Sequence, residues 1–311
     1  MTKKLKNIYV SMTKDGLYAL EILLKNGKEI HEIICYPKEK SHNISDYVDF
    51  KNIAKKYKLK ITYTDNINLL TDRFKKNNPN VIIVNGWSQL LKKELLKTAR
   101  NCCVGTHPSL LPKNRGRAPI PWHFINNEKY GGITLFYLEP TCDSGPIIDQ
   151  ARFKILETDN ANSYYEKITK LGAKLLLKHF NSIINGSAHK KARPQNHKMA
   201  TCLLKRRPQD SFINFNNKTA EEIHNLIRAV SCIYPLANFI YQGSLYYVLS
   251  SKLPKNIPHF SGIPGQIAKV SRNFIWVLCK LGIVQFNKIL DDNKKEVELL
   301  KIFKTGEVIN E

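Results

Sequence analysis

Acidic residues are scarce in this chain. There are 26 Asp and Glu against 49 Lys and Arg, which leaves a net charge of +23. A surface this short of carboxylates points to an anionic partner. The cations are mostly Lys, and Lys and Asn are spread along the whole chain, so charge alone says no more. No RNP, zinc-finger or KH pattern accompanies it. Long apolar runs are also missing. None approaches the roughly 20 residues of a membrane span, and the apolar part of MTKKLKNIYVSMTKDG is too short for a signal peptide. The N-terminus reads as the first strand of a cytoplasmic protein with no membrane insertion. Cysteine is present but unpatterned: Cys35, Cys102, Cys103, Cys142, Cys202, Cys232 and Cys279 make an odd number with no CxxC pair and no metal spacing. No metal is expected, and Cys102–Cys103 read as buried thiols. GxGxxG and Walker A sequences are absent as well, so the motifs of NAD and ATP sites are missing.

What is there is an alternation. NIYVSM (7–12), IHEIICY (30–36), LKITYT (59–64), VIIVNGW (81–87) and CCVGTH (102–107) read as strands. Between them, 15–26, 48–57, 67–76 and 88–99 carry helical spacing. This predicts an α/β, Rossmann-like fold: a mostly parallel sheet with helices on both faces. Strands over 131–138 and 146–155 and a helix over about 160–183 follow. Residues 188–210 are basic and Pro-punctuated, and read as a linker. Residues 211–311 hold one helix and five short strand-like segments, which predicts a small open barrel of OB-like type. The expected division is thus 1–187, 188–210 and 211–311. Ligands of such parallel sheets bind beyond the carboxyl ends of the strands, where Asn85 and His107 stand.

The stretch GTHPSLLPKNRGRAPIPW (105–122) is a Pro-braced loop around His107, and GGITLFYLEPTCDSGPIIDQ (131–150) carries Asp143 in a second loop. Together they resemble the signature of the folate-dependent formyltransferases. RRPQDSFINF and EEIHNLIRAV resemble the start of the C-terminal domain of two-domain members. The resemblance implies transfer of a formyl group from N10-formyltetrahydrofolate to an amine, with His107 and Asp143 as catalytic residues. A donor beside the formyl oxygen, as expected of His107, is worth about 2.7–4 kcal/mol. It also implies a folate site along Gly86, Trp87, Ser88, Gln89 and Leu90 and along Tyr137, Leu138, Glu139, Pro140 and Thr141. Members usually carry Asn two residues before the His, where this chain has Gly105. Asn85, on the neighbouring strand, is the candidate to replace that donor.

RGRAPIPW and the Ser45-Asp46-Tyr47 element resemble the sugar-nucleotide N-formyltransferases more than the tRNA enzymes, which typically carry a longer basic patch near residue 40. An amino-sugar nucleotide is therefore the expected acceptor, in glycan or lipopolysaccharide assembly, with Ser109, Arg115, Gly116, Arg117 and Tyr47 as its binding residues. Methionyl-tRNA formyl transfer is the alternative, and a non-catalytic relative that binds RNA or another anion is the second. Assembly as a homodimer is left open. Simpler readings stand beside these. Asp143-Ser144-Gly145 fits an ordinary turn, Arg115 and Arg117 fit solvated charge, Trp87 and Trp122 fit packing better than stacking, and His123 fits a helix surface.

Overall fold

The computed structural model describes residues 6–42, 44–231 and 234–309; Cys232 lies outside them. The chain divides into two compact units. The first comprises residues 1–119, 130–155 and 164–204, the second 120–129, 156–163 and 205–311.

The first unit is built on a seven-stranded sheet. Its strands are β1 (Asn7–Val10), β2 (Glu32–Cys35), β3 (Lys60–Tyr63), β4 (Val81–Val84), β5 (Cys102–His107), β7 (Tyr130–Tyr137) and β8 (Ile147–Lys154). A two-residue strand, β6 (Arg115–Gly116), pairs in parallel with β9 (Cys202–Leu203). The sheet order is β3-β2-β1-β4-β5-β7-β8. The first five strands run parallel, and β7 is antiparallel to both β5 and β8. NIYV, EIIC and VIIV are buried at every position, as expected of parallel strands covered on both faces. Successive side chains alternate between those faces. Ile8, Val10, Ile82, Val84 and Cys103 pack with Phe74 of α3 (Thr71–Asn77) and Leu95 of α4 (Lys93–Leu96). The opposite face, with Tyr9, meets α1 (Lys14–Lys25), where Gly16 O accepts from the Tyr9 hydroxyl at 2.8 Å. The long α6 (Ala161–Ile184) reaches this unit through Tyr164, whose hydroxyl donates to Pro108 O at 3.2 Å. Helix α2 (Lys51–Lys56) precedes β3.

The helix expected over 88–99 shrinks to α4. The polar groups of its first turn are used elsewhere: Gln89 accepts from Ile67 N at 3.1 Å and donates to Asp65 O, and Lys92 N donates to Asn68 Oδ1 at 2.8 Å. Residues 85–92 are thereby held as an anchored loop at the carboxyl end of β4.

Residues 188–204 of the expected linker pack within the first unit. Arg193 exchanges both main-chain hydrogen bonds with Ile147 at 2.8 Å.

The second unit carries a five-stranded antiparallel half-barrel of order β10-β11-β14-β13-β12 (Ala237–Tyr241, Ser244–Lys252, Ile283–Leu290, Ile275–Leu278 and Ile267–Val270). Phe239, Phe286 and Phe303 fill it. The last of these follows the short α8 (Leu299–Ile302). Helix α7 (Ala220–Ala229) packs on β11 and β14. A capping box starts it, with Thr219 accepting from Glu222 N and Glu222 accepting from Thr219 N. In α5 (Pro119–Ile125), His123 is buried, with Nε2 3.6 Å from Glu128. That corrects the expected helix-surface placement: α5 is covered on the His123 side, which a seven-residue pattern does not reveal.

Candidate active site

His107 is the last residue of β5, and the chain then turns through Pro108 and a cis Leu111–Pro112 bond to β6. His107 is 6% exposed. Its Nε2 lies 2.7 Å from the carbonyl oxygen of Asn114. A carbonyl only accepts, so Nε2 carries a hydrogen and donates. Nδ1 is therefore the nitrogen at which a proton is gained or lost, and it faces Asp143 Oδ2 at 3.5 Å. Asp143 sits in the loop between β7 and β8 at φ +49°, a left-handed conformation that costs a residue with a Cβ. Its Oδ2 also accepts from Gly116 N at 2.8 Å and from the Cys142 thiol at 3.3 Å. Burial, then the charge of Asp143, pushes that thiol up to about 12, so it stays protonated and donates. The His107–Asp143 pair can take a proton at Nδ1 and hold it against a carboxylate.

A segment that the sequence presents as linker holds both partners of His107 in place. Thr201 Oγ1 accepts from Asn114 N at 2.8 Å, and Thr201 O accepts from Arg115 N at 2.9 Å. Leu203 O accepts from Arg117 N at 3.1 Å. Gly116 is at φ +98°, and a Cβ there would stand 2.7 Å from Leu203 O. Gln195 Nε2 donates to Asp143 O at 2.9 Å and to Gly145 O at 2.7 Å. Its Oε1 takes Arg115 Nε at 3.2 Å and Nη2 at 2.6 Å. Sequence reasoning missed Asn114, Gln195 and Thr201. The acid-free, Pro-broken composition of 188–204 carries no signal separating a strap from a tether.

The other expected substrate residues divide. Arg115 is buried, with Nη2 also 3.2 Å from His197 Nδ1, so its guanidinium serves the loop. Ser109 is buried and donates to Lys113 O at 2.8 Å. Arg117 is exposed and reaches Ser88 O at 2.5 Å. Tyr47 pairs with Thr13 and donates to Tyr36 O at 3.0 Å.

Asn85 does not join His107. Its Oδ1 accepts from Thr106 Oγ1 at 2.7 Å, and its Nδ2 donates to the Tyr9 hydroxyl at 3.3 Å. Thr106 and Tyr9 belong to the face opposite Gly105 and His107, because neighbouring residues of a strand alternate. The space above Gly105 is taken by Leu138, whose Cδ2 would lie 2.8 Å from a Cβ at that position.

The two expected folate segments flank one core. Trp87 and Leu138 both pack, half-buried, against the Val84–Cys103 cluster. Leu90 is 58% exposed, and Trp87 Nε1 is buried with no acceptor. Apolar walls with an orphaned N–H donor fit a flat heterocycle with polar edges. Glu139, Pro140 and Thr141 are exposed, with Ser144 Oγ donating to Thr141 O at 2.9 Å, while Tyr137 is buried with its ring stacked on His189. Gly86 takes φ +67°, and the Thr13 hydroxyl fills the space its missing Cβ leaves. Among the described residues no group of three metal-ligating side chains occurs, and no helix is long and apolar enough to cross a membrane.

Comparison with known proteins gives this geometry a family. Residues 12–180 match the formyl transferase model, and residues 205–306 match the formyl transferase C-terminal domain model. Methionyl-tRNA formyltransferase of Clostridium tetani is 33% identical over 221 residues, 71% of this chain and 69% of that one. Among solved structures, the sugar 3N-formyl transferase WlaRD, crystallised in the presence of dTDP and 5-N-formyl-THF, superposes with TM-score 0.66 at 22% identity, covering 93% of this chain and 98% of that one. The Helicobacter canadensis N-formyltransferase, in complex with folinic acid and dTDP-3-aminofucose, gives TM-score 0.68 at 21% identity, covering 91% and 99%. Matched across both of its parts, the chain belongs to the formyl transferase family, whose one-carbon donor is N10-formyltetrahydrofolate.

Proposed function

We propose that this enzyme formylates the amine of an amino-sugar nucleotide. The observation that carries the chemistry is the His107–Asp143 pair, with Nε2 fixed on Asn114 O and Nδ1 turned to the carboxylate. When bound, N10-formyltetrahydrofolate supplies an electrophilic formyl carbon. The residues that would hold it are Trp87, Leu90 and Leu138, with the Trp87 N–H as a donor to its ring edge. With an acceptor amine beside that carbon, His107 Nδ1 would take the proton the amine loses. Asp143 steadies the imidazolium so formed. The imidazole would then return that proton to the nitrogen whose bond to the formyl group is replaced by the new one. Arg117, exposed beside Ser88, is the cation placed to meet a diphosphate.

The acceptor class is supported by the loop after β2. Its basic residues stand in one short turn, Lys38–Lys40, and the Lys40 ammonium is paired with Asp65. That leaves little of the basic patch typical of tRNA enzymes. Two solved sugar N-formyltransferases share the fold. The tRNA reading is favoured by the C. tetani relative and by residues 187–207, which contain no Asp or Glu.

The deciding experiment supplies N10-formyltetrahydrofolate with a panel of amino-sugar nucleotides and, separately, methionyl-tRNA. Formylated amino sugar is expected, with a shallow salt dependence, because few phosphates are contacted. Faster turnover of methionyl-tRNA than of every amino sugar would reverse the assignment. No turnover of either would leave the non-catalytic reading.

A further inference from the structure

The segment that crosses the site carries one fully buried side chain with every polar atom engaged. Gln195 is 6% exposed. Its two N–H groups go to the carbonyl oxygens of Asp143 and Gly145, and its Oε1 is shared by two nitrogens of Arg115. These contacts join three separate pieces of chain. Asp143 and Gly145 belong to the loop between β7 and β8. Arg115 opens β6, one residue after Asn114, whose carbonyl receives His107 Nε2. Gln195 itself lies 50 residues beyond Gly145 and 80 beyond Arg115.

We infer that Gln195 is a positioning residue for formyl transfer, one that sets the distance between His107 Nδ1 and the Asp143 carboxylate. The inference rests on the proposed chemistry of that pair. The physical reason lies in the backbone of Asp143. At φ +49° the residue is in a conformation it does not hold by its own preference. Neighbouring structure must over-determine it, and two hydrogen bonds from one amide to carbonyls two residues apart do so. The same amide fixes Arg115 and therefore the start of β6, where Gly116 N donates to Asp143 Oδ2. Gln195 thus governs the carboxylate from both ends: its main chain directly, and its Oδ2 through Gly116. Asn114 is fixed separately by Thr201. The two nitrogens of His107 are therefore set by two different residues of one segment.

The discriminating substitution is Gln195→Glu. A carboxylate keeps the acceptor for Arg115 and strengthens it, since a charge-assisted pair replaces a neutral one. It cannot donate, so the carbonyls of Asp143 and Gly145 lose both hydrogen bonds and face a negative charge. The expected protein folds with a lowered thermal midpoint, because two carbonyls lose their donor while the Arg115 contact is kept. Its kcat is about 10- to 100-fold lower, the magnitude of a small misplacement of reacting groups, with KM for the formyl donor unchanged. The acidic limb of its kcat profile is displaced. Gln195→Leu, which removes all four contacts, gives the same kinetic defect together with a still lower midpoint.

A second readout does not depend on any acceptor. In the free protein, the 15N resonance of His107 Nδ1 moves in Gln195→Glu, because its carboxylate neighbour has moved, while that of Nε2 stays. If the wild type formylates no acceptor, the proposed function fails but the resonance still decides this inference. Wild-type kcat and pH profile in Gln195→Glu overturn it, as does an unmoved Nδ1 resonance. Failure of both variants to fold overturns it too, since Gln195 would then be a packing residue alone.

Discussion

The two flanks of the site are built on opposite principles. On one, the His107 and Asp143 loops are laced together by Gln195 and Thr201, and hydrogen bonds run through Asn114, Arg115 and Gly116. On the other, formed by the ends of β1 and β4, the Trp87 N–H is buried without an acceptor. There Asp15 and Asp46 share one hydroxyl, that of Tyr165, at 3.1 and 2.8 Å. Burial, with each other's charge for Asp46, raises both carboxyls above their ordinary range. The laced flank has spent its hydrogen-bonding capacity on its own geometry, as a site that moves a proton requires. The second flank keeps unspent polarity, as a site that receives a ligand requires. Substitutions on the first should therefore damage the free protein or its chemistry. Substitutions on the second should leave the free protein as stable or more so.

The largest expected effect breaks the first flank at its centre. His107→Asn and Asp143→Asn should each lower kcat about 10²–10⁴-fold, the worth of a positioned acid–base group. Circular dichroism should stay at wild type. Near-normal turnover in either variant would remove the pair from the mechanism.

Asn85→Ala tests a residue between the flanks. It strips partners from Thr106 and Tyr9, so unfolding free energy should fall by about 1–3 kcal/mol. The chemical step, measured in single turnovers, should change little. A single-turnover rate lower by about 10²–10³-fold would restore Asn85 as an oxyanion donor and contradict its placement on the far face.

Trp87→Phe removes the orphaned N–H and keeps the ring packed against Tyr36, whose centroid is 5.9 Å away. The free protein should gain up to about 1 kcal/mol, because an unsatisfied buried donor disappears. KM for the formyl donor should rise about tenfold at constant kcat. A loss of stability with an unchanged KM would show that the N–H serves no ligand.

The smallest effect concerns Asp46→Asn. A carboxyl whose folded pKa is raised favours folding at acid pH and loses that contribution as pH rises through the raised value. At pH 7 the Asn variant should equal or exceed the wild type in denaturant midpoint, since Asn still accepts from Tyr165. Below the ordinary Asp value of 3.8 the advantage should vanish. A variant clearly weaker at pH 7 would place Asp46 with the laced flank.

Much of this protein is written along its sequence. The buried runs NIYV, EIIC, VIIV and CCVGTH have too few polar positions to face water, so they form covered parallel strands wherever the chain places them. Thr219 and Glu222 mark the start of α7 by local chemistry alone. The prolines and glycines around His107 and Asp143 announce two fixed loops for the same reason: they act on the dihedrals of adjacent residues. Three things required the folded chain. The face on which Asn85 points depends on strand register, because one residue's difference reverses it. The occupation of the space above Gly105 by Leu138 joins positions 33 residues apart through packing. The clamp by Gln195 and Thr201 joins segments 50 to 87 residues apart through single hydrogen bonds. Local sequence specifies conformation through propensity and polarity. Which distant side chain completes a loop is settled only when the sheet has brought its edges together.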